Sequence, residues 1–210
     1  MRILSKKKVS DILDILKGTY PEAECALTHS NPFQLIVAVA LSAQTTDVSV
    51  NKVTPALFEN YPDASSLANA KSENIETLIK TIGMYRTKSK NLVSMAKKIC
   101  SDFEGRVPQD YESLISLPGV GRKTANVVLS VAFGEPRIAV DTHVFRLANR
   151  MGITEEKDVL KTEIKLMERI PKARWTEAHH CLIFHGRNCC TARNPKCCQC
   201  EIEPICQKRM

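Results

Sequence analysis

One stretch of this chain, Phe33 to Ala43, is long enough for three helical turns and is apolar on almost every side. A helix without a polar face lies in the middle of a larger protein or within a membrane. The membrane does not fit, because the unbroken apolar run from Leu35 to Leu41 is seven residues where a spanning helix needs roughly 20. Asn31 and Pro32 stand in front of it, a cap and a proline at the first helical position. The rest of the chain must therefore supply the elements that cover this helix.

It supplies helices. Val9, Ile12, Leu13 and Leu16 follow the i, i+3, i+4, i+7 spacing behind Ser10, with Gly18 as the stop. The same spacing predicts helices over 47–58, 63–70, 72–80, 87–103, 110–117 and 122–133, with Gly83, Gly105 and Gly134 ending three of them. Arg137 to Phe145 alternates as a strand would, but it has no partner strand. It reads as an extended entry into a helix over 142–150, with further helices over 155–170 and 173–188. The expectation is an all-α protein of about ten helices, without repeat or flexible linker.

Of the 210 residues, 43% are apolar and 25% charged, ordinary globular values that exclude disorder and fibre. Thirty Lys and Arg against 23 Asp and Glu give a net charge of +7, compatible with a solvated surface and with a nucleic-acid partner. The first ten residues carry charge without a signal-length apolar stretch, so a cytoplasmic protein is expected. Nine cysteines, an odd number, suit a reducing compartment better than a disulfide scaffold. Six of them fall between Cys189 and Cys206, which points to metal binding.

Three motifs carry chemistry. Leu117 to Thr124 (LPGVGRKT) has the glycine, lysine and threonine of a nucleotide-binding loop, but Arg122 separates Gly121 from Lys123 and breaks that pattern. What remains is a glycine turn between two helices. Such a turn brings the N–H groups of Gly119, Val120 and Gly121 to a phosphate at the start of the second helix, while Val120 anchors it in the core. Lys123 stands in the first turn of that helix beside Arg122. A lysine is ordinarily a surface charge; here the positive helix end and a neighbouring cation both favour the neutral, nucleophilic amine. Asp141 follows three apolar residues at a helix start, where it can act as an N-cap. In the tail, Cys190, Cys197, Cys200 and Cys206 are separated by six, two and five residues. Thiolates at those positions suit zinc or an iron–sulfur core, and only Cys197 and Cys200 have the spacing of a zinc knuckle. Cys189 and Cys198 fall outside the pattern.

LPGVGRKTAN followed by VDTHVFRLANR resembles the endonuclease III family of helix-hairpin-helix DNA glycosylases, and the resemblance extends from about residue 5 to the end of the chain. It implies a two-lobed fold: a helical barrel over 25–135 that contains the hairpin (110–133), and an iron–sulfur lobe formed by 1–24 with 136–210. It makes Lys123 the nucleophile and Asp141 the assisting carboxylate, a role compatible with capping. The cysteine spacing matches the family's 4Fe-4S loop, Cys190, Cys197, Cys200 and Cys206 (loop 190–206), with Arg193 and Lys196 on a segment that meets DNA phosphate. Gln44, in LSAQ, corresponds to the residue that enters the space left by an extruded base, and its bland reading is a helix C-cap. Met84 stands where the family carries a leucine-like wedge.

The implied function is base-excision repair. A monomer would remove oxidised pyrimidines such as thymine glycol from duplex DNA and cleave abasic sites through a lysine Schiff base, with the duplex lying across a cleft faced by Lys123 and Asp141. Two alternatives stand beside it. Adenine-mismatch glycosylases share the hairpin, the aspartate and the cluster, but they lack this lysine and continue into a further domain. A non-enzymatic hairpin module would have no need of Lys123 with Asp141.

Overall fold

The computed structural model describes residues 3–209, and among them there are eleven α-helices, two short 3-10 turns and no strand. Two compact units divide the chain: Ala26–Gly134, which is continuous, and a second unit made of the segments on either side of it.

In the continuous unit the apolar helix α2 (Pro32–Leu41) starts at Asn31, whose side chain accepts from the Gln34 amide. Phe33, Leu35, Ile36, Val37, Ala38, Val39 and Leu41 are all buried. Helices α3 (Asp47–Asn60), α6 (Tyr85–Phe103) and α8 (Arg122–Phe133) pack around it, and the short α4 (Ala64–Ala68) and α5 (Ser72–Ile79) close on α6. The hairpin pairs α7 (Tyr111–Ile115) with α8. A large-to-alanine change within α2 would cost about 2–5 kcal/mol in a site enclosed this way.

The second unit places α1 (Lys6–Thr19) on α11 (Trp175–Asn188), with α9 (Thr142–Met151) between α11 and α10 (Val159–Arg169). Its core joins Val9, Ile12, Leu13 and Leu16 to Val144, Leu147, Leu166, Leu182 and Ile202. Some boundaries differ from the spacing. Helix α1 begins before Ser10, because Ser5 accepts the Lys8 amide and is the cap. Helix α10 begins at Val159 rather than near 155, because Asp158 caps the Lys161 amide. The 137–141 segment is extended and runs directly into α9.

Candidate functional site

The hairpin turn is built by local hydrogen bonds. The Leu117 amide donates to Leu114 O and the Val120 amide to Leu117 O, each at 3.1 Å. Val120 is 7% exposed. The side chain therefore anchors the turn, but its amide, expected to be offered outward, is already engaged. Gly119 has φ +79°, and a Cβ there would come within 3.1 Å of Asn91 Cβ; only glycine fits. Gly121 is different: its φ is −100° and a Cβ would meet nothing within 4 Å. It starts α8 without a side-chain cap, and the first intrahelical bond is from the Ala125 amide to Gly121 O. The amides before it point out of the helix end, where an anion is favoured.

Lys123 is exposed in the first turn of α8. Its neighbour Arg122 turns back onto α7, with Nη1 donating to Tyr111 Oη at 3.2 Å and the guanidinium 5.6 Å from that ring's centroid. Asp141 belongs to the other unit and is the N-cap of α9, Oδ1 accepting from the Val144 amide at 2.8 Å. Capping uses one carboxylate oxygen and leaves a second.

Gln44 and Met84 share an unusual backbone. Both are non-glycine residues in the left-handed region, with φ of 54° and 57°, at a cost of about 1–2 kcal/mol each. Both are exposed, Met84 by 57%. Gln44 is not a helix cap, since Ser42 occupies that position after α2. A residue that the sequence pattern did not single out ties the two together. Lys88 is 7% exposed, and its Nζ donates to Leu41 O at 2.9 Å and to Thr45 Oγ1 at 2.7 Å. Those acceptors bracket Gln44, while the Lys88 amide donates to Met84 O at 3.0 Å. Burial pushes the Lys88 ammonium below the usual lysine range, and the carbonyl end of α2 offers it compensation. The signal in the sequence was a lysine four residues before Leu92, on the buried stripe of α6.

In the tail a cavity is lined by Cys189, Cys190, Cys197, Cys200 and Cys206 together with His185. Cys198 is exposed and lies outside it. Arg150 holds one wall, Nη1 donating to Cys190 Sγ at 3.4 Å and to Thr191 O at 2.8 Å. Cys200 Sγ lies 3.5 Å from His185 Nε2, whose Nδ1 is 3.2 Å from Tyr20 Oη. Burial pushes His185 down to about 4, so the ring is neutral and can ligate. Burial, followed by the neighbouring thiol of Cys200, pushes Cys189 up to about 12; burial also raises Cys206. Thiolates gathered here need a cation to share. His185, Cys189 and Cys200 place their ligand atoms within 4.8 Å of one another, a group that could bind a metal, and among the described residues no three of the four spaced cysteines do so. Arg193 and Lys196 are exposed on the loop between Cys190 and Cys197, which is closed by the Lys196 amide donating to Cys189 O at 3.0 Å.

Residues 37–172 match the family model of the HhH-GPD superfamily base excision DNA repair proteins. The chain is 49% identical to endonuclease III of Bacillus subtilis (strain 168) over 207 residues, which covers 98% of this chain and 94% of that protein. It is 44% identical to endonuclease III of Escherichia coli (strain K12), over 97% of each. Among solved structures, a trapped endonuclease III–DNA covalent intermediate superposes with a TM-score of 0.94 at 45% identity, covering 98% of this chain and 97% of the other.

Proposed function

Since the chain belongs to the endonuclease III family of HhH-GPD base excision repair proteins and is a bifunctional DNA glycosylase and AP lyase, we propose that Lys123 is its nucleophile and Asp141 its assisting carboxylate. The observation that carries this reading is an exposed lysine on the first turn of an uncapped helix, directly after a turn that requires glycine at position 119.

The substrate is double-stranded DNA with an oxidised pyrimidine or an abasic site, and the protein acts on it as a monomer in the cytoplasm. No described helix is long and apolar enough to cross a membrane. A base inside a duplex must leave the stack before its sugar can be attacked. Met84 wedges into the stack and Gln44 fills the vacated space, each presented by a backbone already held in a strained conformation. The amides of Gly119 and Gly121, and the side chains of Arg193 and Lys196, hold phosphates.

Lys123 attacks C1′ with its Nζ lone pair while the base departs with the glycosidic electron pair. Asp141 stabilises the positive charge that develops on the sugar, through the oxygen not used for capping. Loss of a proton and ring opening give a Schiff base between Nζ and C1′. Removal of a C2′ proton then expels the 3′ phosphate, and water releases the lysine.

Cys190, Cys197, Cys200 and Cys206 would hold a 4Fe-4S cluster whose contribution is structural, pinning the loop that carries Arg193 and Lys196. The donor set supports this fit. One tetrahedral ion with bonds of about 2.3 Å gathers its thiolates to about 3.8 Å, whereas a cube takes each thiolate on a different corner and spreads them. All four line the same tail cavity, yet among the described residues no three of them gather within 4.8 Å as a single ion would require, which suits the cube.

Neither alternative reading is favoured, because the near-full-length relatives reported above are endonuclease III. Borohydride reduction in the presence of damaged duplex should crosslink the wild type at residue 123. Lys123→Gln should bind that duplex while losing both crosslink and nicking; undiminished nicking would reassign the nucleophile.

A further inference from the structure

The tail cavity offers one thiol more than a four-iron cluster uses. Five cysteines line it, and the spacing assigns four. The fifth, Cys189, precedes the ligand Cys190 and is half-buried rather than displayed on the surface. Its backbone is fixed: the amide donates to His185 O at 3.0 Å, and its carbonyl accepts from Thr191 and Lys196, each at 3.0 Å. Only the rotation about Cα–Cβ remains free to move the sulfur. That sulfur now sits 3.7 Å from Lys196 O, a weak hydrogen bond, and within 4.8 Å of Cys200 Sγ.

The separation matters because of what one metal corner can accept. Two sulfurs that each bind the same ion at about 2.3 Å can be at most about 4.6 Å apart, and about 3.8 Å apart at the tetrahedral angle. The Cys189 and Cys200 sulfurs, no more than 4.8 Å apart, are therefore within about 1 Å of the separation at which two thiolates share one tetrahedral corner, even before any side chain turns.

Resting on the 4Fe-4S reading, we propose that Cys189 is a reserve ligand for the iron held by Cys200, able to take over that corner when Cys200 is lost. No redox step is needed: one thiolate replaces another on the same iron, and the Cys189 proton passes to solvent. The exchange is assigned to that corner because the close group of ligand atoms that includes Cys189 contains Cys200 and not Cys197, and Cys198 lies outside the cavity. Cys197 therefore has no such spare and serves as the comparison.

The test compares iron and sulfide content, together with visible absorption, of full-length proteins purified anaerobically in thiol-free buffer, so that no added thiol fills a vacant corner. Wild type and Cys189→Ala should carry about four irons per chain. Cys200→Ala should carry the same, whereas Cys197→Ala and Cys189→Ala/Cys200→Ala should fall to three or fewer. If Cys200→Ala loses iron, or becomes insoluble, to the same extent as the double variant, the proposal is overturned. Retention of full iron by Cys197→Ala or by the double variant overturns it too, because either the fold tolerates an open corner or His185 is the replacement. Iron-free wild type would instead defeat the cluster reading itself.

Discussion

Replacing Lys88 with methionine removes a buried ammonium, keeps the length and apolar stem of the side chain, and leaves two acceptors without their donor. The lost bonds, to Leu41 O at 2.9 Å and Thr45 Oγ1 at 2.7 Å, are charge-assisted and worth about 1.5–3 kcal/mol each. Relief from burying the charge offsets part of that loss. The net cost is about 1–3 kcal/mol, the scale of an unsatisfied buried carbonyl. It falls on the turn that holds Gln44 at φ 54°, a conformation that relaxes once its anchor is gone. Expressed in binding, 1–3 kcal/mol is about 5- to 150-fold. Fluorescence anisotropy with a duplex carrying a stable abasic analogue, and with its undamaged counterpart, separates local from general effects. Lys88→Met should weaken the first by that factor and leave the second within about twofold. Equal weakening of both would show that the lysine supports the fold at large rather than the two residues proposed to insert; unchanged affinity for both would refute the reasoning.

The two hairpin glycines should part company. Gly119→Ala, forced into φ +79° and against Asn91, should lose about 1–3 kcal/mol of stability in urea unfolding; Gly121→Ala, with open space around its Cβ, should unfold like wild type yet bind both damaged and undamaged duplex more weakly. Acid should destabilise the second unit through His180, which burial pushes down from 6.5 to about 4. The unfolded chain takes up the proton first as pH falls below 6.5, so stability present above that value drops between 6.5 and about 4 by up to about 3 kcal/mol. His180→Phe should lack this component in urea midpoints measured across that window.

Helix α8 was legible to the residue at both ends, Arg122 and Phe133, because a glycine stands on each side of it. The apolar helix was plain at its start, Pro32, since no surface position could suit it, but it ends at Leu41, two residues before Ala43, with Ser42 as its C-cap. Ser10 misled because a serine one turn into the helix, beside the first buried residues of an amphipathic pattern, looks like a cap, while Ser5, in front of three lysines, does not. Within the site, the hairpin, Lys123, Asp141 and the spaced cysteines announced themselves by motif. Lys88 did not, because its partners Leu41 and Thr45 are more than 40 residues away in the chain and one of them is a backbone carbonyl that any residue could supply. Cys189 looked like an extra for the same reason: spacing counts ligands along the chain, and only the folded loop shows which sulfurs face one another.

The second unit is discontinuous, and this sets the timetable of biosynthesis. Helix α1 leaves the ribosome long before α11, the helix it packs against. At about 5–20 residues per second, the roughly 160 residues between them take on the order of 10–30 seconds. During that interval Ala26–Gly134 is complete and can condense alone, whereas α1, with 14 residues, is too short to hold its helix in water without a partner. Its apolar stripe waits, kept soluble by Lys6, Lys7, Lys8 and Lys17. The cysteine loop emerges later still, so the proposed cluster would be captured only after the helices that frame its cavity have been made. A nascent chain stalled before α11 would thus expose the stripe of Val9, Ile12, Leu13 and Leu16 beside a finished neighbouring unit, a species suited to chaperone capture.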